Sequence, residues 1–396
     1  MYRSLKVANV NSRPTLALSS TVVIVIAVVI VGAIGATGFA LVTTSHHTTT
    51  NSLQGYSGYP STLPTTTINI DGSSLLYIPM LAWIENFTDY YTNVKINVGA
   101  SGSGVGQSEV EQGLINVGDS DAYLLNQSQA QYPWLLNIPL AVSAQQVNYD
   151  VPGIPQSLHL NFSGPVLAGI FNGSITTWNN PQIADLQSPS VRSMLHSNAI
   201  VPVHRADSSG DTFIFTQYLS FSDPWWNSHV GYGTTVSWPS NPSATDASGN
   251  SGMVEVINET SYSIGYVGVS FLKVALGQRE GYAYLENQAG NFVNITQSNI
   301  EADVNAFVNK VPSDERISMV FGPGADAYPI VNFEYAIVSK NQTSADTVKV
   351  IQTYLSWVMD PKWGSSPYFL NLVGFVALPA SVYQLSQAQL NEITAS

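Results

Sequence analysis

One local arrangement occurs three times in this chain: a short strand, a run of small residues, then the start of a helix. The first is Asp71-Gly72-Ser73-Ser74-Leu75 and the second Gly99-Ala100-Ser101-Gly102-Ser103-Gly104-Val105-Gly106. The third, His204-Arg205-Ala206-Asp207-Ser208-Ser209-Gly210-Asp211-Thr212, runs into the apolar Phe213-Ile214-Phe215. Strands feeding helices in this way indicate an α/β fold, and in open α/β sheets such loops gather at the carboxyl ends of the strands, where ligands sit. Helix N-termini offer unpaired N–H groups and the positive end of a dipole. Three of them in one cleft would bind a small oxyanion without net positive charge. Taken singly, each loop is equally a capped surface helix, because Ser and Asp are common caps.

The third loop adds specific chemistry. Arg205 supplies a planar fork of donors, Asp207 can hold that fork in place, and Ser209 supplies a hydroxyl. Asp121, just after the strand-like Asn116–Gly118, is out of place in an anion site unless the anion carries a proton that the carboxylate accepts. Phosphate at neutral pH has that proton and sulfate does not, so Asp121 would select by repelling the wrong ligand. The alternative is that Asp121 caps a helix.

Composition limits the partners. The chain has 396 residues, enough for two domains, and a net charge of −13. Beyond residue 42 lie 10 of the 13 Lys and Arg residues and all 26 acidic ones, so there is no basic surface for nucleic acid. With no cysteine, disulfides, thiolate metal sites and cysteine nucleophiles are excluded. The histidines show no ligand spacing beyond the adjacent His46-His47, so neither a metal nor a cofactor is expected.

Residues 1–21 carry Arg3, Lys6 and Arg13, and residues 22–42 are an uncharged apolar run long enough to span a bilayer. The charge bias places the N-terminus in the cytoplasm and the rest outside. An uncleaved transmembrane anchor is expected from the length of the run, and a cleaved signal peptide is the alternative. The Thr/Ser-rich residues 43–66 read as a linker. The rest alternates strand and helix. Ile68–Ile70 is strand-like, and Ser73–Tyr90 is helical with Leu76, Met80, Trp83, Ile84 and Phe87 on one face. Lys95–Val98 reads as a strand, Gly104–Gly113 as a helix, and Thr347–Met359 and Ser386–Ile393 as late helices. Competing motifs fail on detail. The second loop lacks the Gly-Lys-Ser/Thr of a nucleotide P-loop. Arg205-Ala206-Asp207 lacks the companion motifs of a kinase, and no serine here has the flanking glycines of a hydrolase elbow.

At these residues the chain resembles the phosphate-binding proteins of phosphate-specific ABC importers, from about Ile68 to the C-terminus. The landmarks occur in order: Gly72-Ser73-Ser74, Ser101–Gly106, Val117–Ala122, Gly173–Trp178, Arg205–Gly210, Gly233–Pro239, Ile264–Val267 and Asp326–Ile330. The resemblance implies a periplasmic-binding-protein-like fold of type II, two α/β lobes joined by a hinge that the chain crosses twice. Residues 67–148 and 330–396 would form one lobe and 149–329 the other, with ligand bound between them. It implies an extracellular, non-enzymatic receptor that delivers inorganic phosphate to ABC permease subunits; the apolar residues 22–42 would hold it at the membrane, and a monomer is expected. Another oxyanion (sulfate, molybdate or an organophosphate) and a surface phosphatase are the alternatives.

The resemblance also implies ligand contacts. Ser74 matches a hydroxyl donor and Leu75 a backbone N–H donor. Ser101 matches the loop serine, with Ser103 assisting, and Asp121 the acceptor of the phosphate proton. Arg205 matches the cationic contact, Asp207 its positioning carboxylate, and Ser209 and Gly210 donors at the third helix. Asp211 stands where many relatives have Thr. Its N–H can donate, the hydroxyl is lost, and Thr212 is the candidate to replace it.

Overall fold

The strand Leu135–Asp150 organises the molecule. Its 16 residues are buried almost throughout, so it reads as a continuous rather than an alternating pattern. Its first part pairs antiparallel with Val331–Ser339, from Leu135 opposite Ser339 to Ala144 opposite Val331. From Gln145 opposite Gly268 to Asp150 opposite Ser263 it pairs antiparallel with Ser263–Gly268 instead. One strand therefore belongs to the sheets of two lobes and changes partner between Ala144 and Gln145.

The computed structural model describes residues 56–395. The expectations for residues 1–21 and 22–42, and for the linker up to Gly55, fall outside them. Among the described residues no helix is long and apolar enough to cross a membrane.

The first lobe orders its strands Val94–Val98, Thr66–Gly72, Val117–Ser120, Val331–Ser339 and Leu135–Asp150. Thr66–Gly72 is parallel to both its neighbours, while Val331–Ser339 is antiparallel to Val117–Ser120. The second lobe continues with Ser263–Gly268, Val201–Arg205 and Thr245–Ala247, the last three mutually parallel. The sheets are mixed, yet the three loops all leave carboxyl ends of parallel strands.

The helix Ser74–Tyr90 buries Leu76, Met80, Trp83 and Phe87 against the first sheet, with Phe87 edge-on to Tyr354 and Trp357. The Trp83 indole donates to Gly364 O at 2.8 Å, satisfying its one polar atom in the core. From Tyr56 on, the stretch expected to be linker is docked rather than free. Tyr56 stacks among Tyr90, Trp357 and Trp363, its hydroxyl donates to Asn86 O at 2.7 Å, and Leu63 is buried. Aromatic anchors outweigh the Thr/Ser composition there. Between Thr176 and Leu186 only the single turn Pro181–Ala184 is helical.

A polar cleft lined from both lobes

Gly72 ends the first strand at φ +141°, and a Cβ there would lie 2.0 Å from Asp119 O, so only glycine fits. Ser73 then caps the helix Ser74–Tyr90, accepting from Leu75 N at 3.0 Å and Leu76 N at 3.1 Å, and donates its hydroxyl to Asp121 Oδ1. The sequence pointed to Ser74 and Leu75. The structure puts Ser73 on Asp121, uses the Leu75 N–H for the cap, and turns Ser74 across the cleft. Ser74 Oγ accepts from Asn250 N and Asn250 Nδ2, both at 3.0 Å.

In the second loop Gly102 has φ +104°, and a Cβ there would meet Ser208 O at 2.6 Å. The loop touches the arginine loop of the other lobe, and Gly104 N donates to Ser208 O at 2.9 Å. Ser103, buried at the helix start, donates to Asp121 Oδ2 at 3.3 Å and accepts from Asp121 N at 3.2 Å. Ser101 is exposed outside this cluster, its N–H on Asp71 Oδ1 at 3.0 Å.

The arginine loop leaves the strand Val201–Arg205. Arg205 Nε donates to Asp207 Oδ1 at 2.7 Å, Nη2 donates to Asp207 Oδ2, and Nη1 donates to Asp211 Oδ2 at 2.8 Å. Asp207 also accepts from Gly249 N at 3.1 Å. Ser209 caps the helix Gly210–Ser222, whose first-turn N–H groups, those of Gly210 and Asp211, have no partner within the helix. A Cβ at Gly210 would lie 2.5 Å from both Asp121 Oδ2 and Ser103 Oγ, so this helix start abuts the acidic corner of the first lobe. Thr212, the expected replacement for the lost hydroxyl, is engaged elsewhere, its Oγ1 2.7 Å from the Tyr266 hydroxyl.

Sequence reasoning missed five contributors: Ser73, Gln145, Asn250, Asn332 and Glu334. Asn250 had a signal, since Asp246-Ala247-Ser248-Gly249-Asn250 is a fourth strand, small-residue loop and helix start, with Gly249 at φ +66°. Glu334 had none. It is fully buried one step beyond the Tyr335–Ser120 pair, where the antiparallel register brings it to Asp121. Asn332 Nδ2 ties Glu334 to the chain at Asp121, donating to the Asp121 backbone carbonyl and to Glu334 Oε1, each at 3.0 Å, and Ser143 Oγ donates to Glu334 Oε1.

The electrostatics follow from one cation among several buried carboxyls. Burial, then Asp121, push Glu334 well above the usual carboxyl range. The contact between the two carboxyls raises Glu334 and lowers Asp121, and no N–H or O–H reaches Glu334 Oε2. Burial also raises Asp121, opposed by hydrogen bonds from Glu334, Ser73 and Ser103 and by the Arg205 charge. Burial would lower Arg205 and raise Asp207, but their pairing wins, leaving Arg205 above and Asp207 below their ordinary values. Burial, then Asp121, push Asp211 up to about 7.

Two α/β lobes sharing one strand and meeting at helix N-termini, with an arginine on one side and a carboxylate on the other, define a periplasmic-binding-protein-like receptor architecture. A family model described as the PBP superfamily domain matches residues 48–362. The phosphate-binding protein PstS of Methanocaldococcus jannaschii is 33% identical over 352 residues, covering 84% of this chain and 87% of that protein. PstS of Pasteurella multocida is 30% identical over 337 residues, 84% of this chain and 92% of that protein. The fold is shared with the solved phosphate binding protein of Stenotrophomonas maltophilia, at a TM-score of 0.60 and 16% identity over 82% of this chain and 93% of that one. The chain belongs to the PBP superfamily and, within it, to the PstS family.

Proposed function

We propose that this chain captures inorganic phosphate between its lobes and delivers it to the permease of an ABC importer. The observation that carries the reading is the convergence of Asp121 with Ser73 and Ser103 from one lobe on Arg205 and the Gly210–Ser222 helix start from the other. Arg205 and the first-turn N–H groups satisfy phosphate oxygens, and Asp121 accepts the proton of hydrogen phosphate. Sulfate has no proton to offer, so its binding would leave two negative oxygens facing each other in a buried site.

Ser103, Asp121, Arg205, Ser209, Gly210 and Asp211 remain the proposed ligand set, with Ser73 added, while the Leu75 N–H serves the Ser73 cap and Ser101 lies outside the cluster. Ser74 and Asp207 act by holding the lobes and the arginine. Capture makes and breaks no bond, so the protein is a receptor rather than an enzyme. Its lobes comprise 56–144 with 330–396, and 145–329, the shared strand Leu135–Asp150 being divided where it changes partner. Residues 22–42 hold it at the membrane, and it works outside the cell as a monomer. Titration calorimetry on the full chain, unfolded and refolded to strip bound anion, tests the reading. Phosphate heat with sulfate silent supports it, and sulfate binding as tight as phosphate overturns it.

A further inference from the structure

The Arg205 fork is divided between two acids. Asp207 takes Nε and Nη2, while Nη1 donates to Asp211 Oδ2 at 2.8 Å. Asp211 is nearly inaccessible, and the contacts around it are those a small anion would need. Oδ2 also accepts from Asn250 Nδ2 at 2.6 Å, and Oδ1 accepts from Gln145 Nε2 at 3.0 Å. The residue has no capping duty, because Ser209 fills that position.

We propose that the Asp211 carboxylate is an internal anion that competes with phosphate for Arg205 Nη1 and Asn250, so that phosphate is captured only when Asp211 is neutral. This rests on the phosphate reading above. The groups facing Asp211 are Arg205 from its strand, Asp121 from the end of Val117–Ser120, and Tyr266 from Ser263–Gly268. Gln145 and Asn250 contribute only amides. Arg205 is the one cation among them and already serves Asp207, so a charged Asp211 beside a bound anion would put like charges in contact out of water.

A proton on Asp211 removes that repulsion and frees Nη1. It also converts the carboxylate into an O–H donor. The proton comes from solvent or from dihydrogen phosphate itself. Burial and Asp121 already bias Asp211 toward the neutral form around neutrality.

The test is the phosphate dissociation constant of the full chain and of Asp211→Asn between pH 5 and pH 9. Dividing one by the other at each pH cancels the titration of phosphate itself. The ratio of wild type to variant is expected to hold at one constant value in acid and to climb up to about tenfold per pH unit once Asp211 ionises. A ratio that stays flat overturns the proposal, since a residue that only positions Arg205 would change affinity by one factor throughout. Asp211→Thr, which supplies the hydroxyl without a charge, is expected to give the same rising ratio, and serves if the Asn variant does not fold. Absence of phosphate binding by wild type and variants alike would instead remove the receptor reading, and this inference with it.

Discussion

Ser74 Oγ in the first lobe accepts two hydrogen bonds from Asn250 in the second, from its backbone N and its Nδ2, both at 3.0 Å. Asn250 is fully buried, and its Oδ1 accepts from Gly268 N at 2.7 Å. The pair latches the lobes directly beside Asp211. Asn250→Ala removes one of the two donors to Ser74 Oγ and one of those to Asp211, and leaves the buried Gly268 N–H without its acceptor, at about 1–3 kcal/mol for an unsatisfied buried group. The expected outcome is a more open pair of lobes, seen as a larger radius of gyration in solution scattering with phosphate present. An unchanged radius would show that the latch does not hold the closed state.

Gly210 has no room for a side chain, since a Cβ would fall 2.5 Å from Asp121 Oδ2. Gly210→Ala should therefore leave each lobe folded and push the lobes apart, at about 1–3 kcal/mol of overpacking, or roughly ten- to a hundredfold in phosphate affinity. Equilibrium dialysis with labelled phosphate measures it, and wild-type affinity would mean the two loops can part without loss.

Arg205→Ala removes the one cation at the cleft and leaves the buried Asp211 and the partly buried Asp207 without their ion-pair partner. Phosphate binding should weaken by about 2–5 kcal/mol, as for truncating a buried charged contact. Calorimetry showing unchanged affinity would move the site elsewhere.

Asp121→Asn swaps a proton acceptor for an amide that can also donate. Sulfate should then compete with phosphate, and continued exclusion of sulfate would show that another group discriminates. Glu334→Gln keeps a donor toward Asp121 and should preserve the selectivity, whereas Glu334→Leu should not.

Stability should fall as pH rises. Burial pushes Glu280, Asp303 and Glu315 each up to about 8, and Asp119 well above its ordinary value. In the unfolded chain such groups titrate near ~4, so between there and about 8 the folded chain holds more protons. The stabilisation is complete below the unfolded value and is lost as pH climbs through the folded one. Each group contributes at most about 1.4 kcal/mol per pH unit, less where water reaches it. Thermal melts should show Tm dropping from pH 5 to pH 9. Glu315→Gln, which can still bond Ser386 and Gln389, should flatten the drop. A Tm that rises over this range would contradict the account.

The loops were legible because glycines at positive φ and serines at helix starts are local signals, as at Gly72 and Gly102. The choice between Ser73 and Ser74 was not, since both are serines and only the turn at Gly72 decides which one caps the helix. The strand Leu135–Asp150 escaped notice because burial on both faces erases alternation. Glu334 was invisible for a different reason. Its meaning lies in a pairing with Asp121, far off in the chain, which exists only once Val331–Ser339 is laid against Val117–Ser120.

The central claim is where the anion sits. Arsenate has the shape and protonation of phosphate, and its arsenic can be located by anomalous scattering from a crystal of the chain grown with it. The account predicts one arsenic site between Asp121 and Arg205, with Asp211 turned away from Arg205 Nη1 or donating to an arsenate oxygen. An arsenic site elsewhere, with Arg205 and Asp121 untouched, would contradict it.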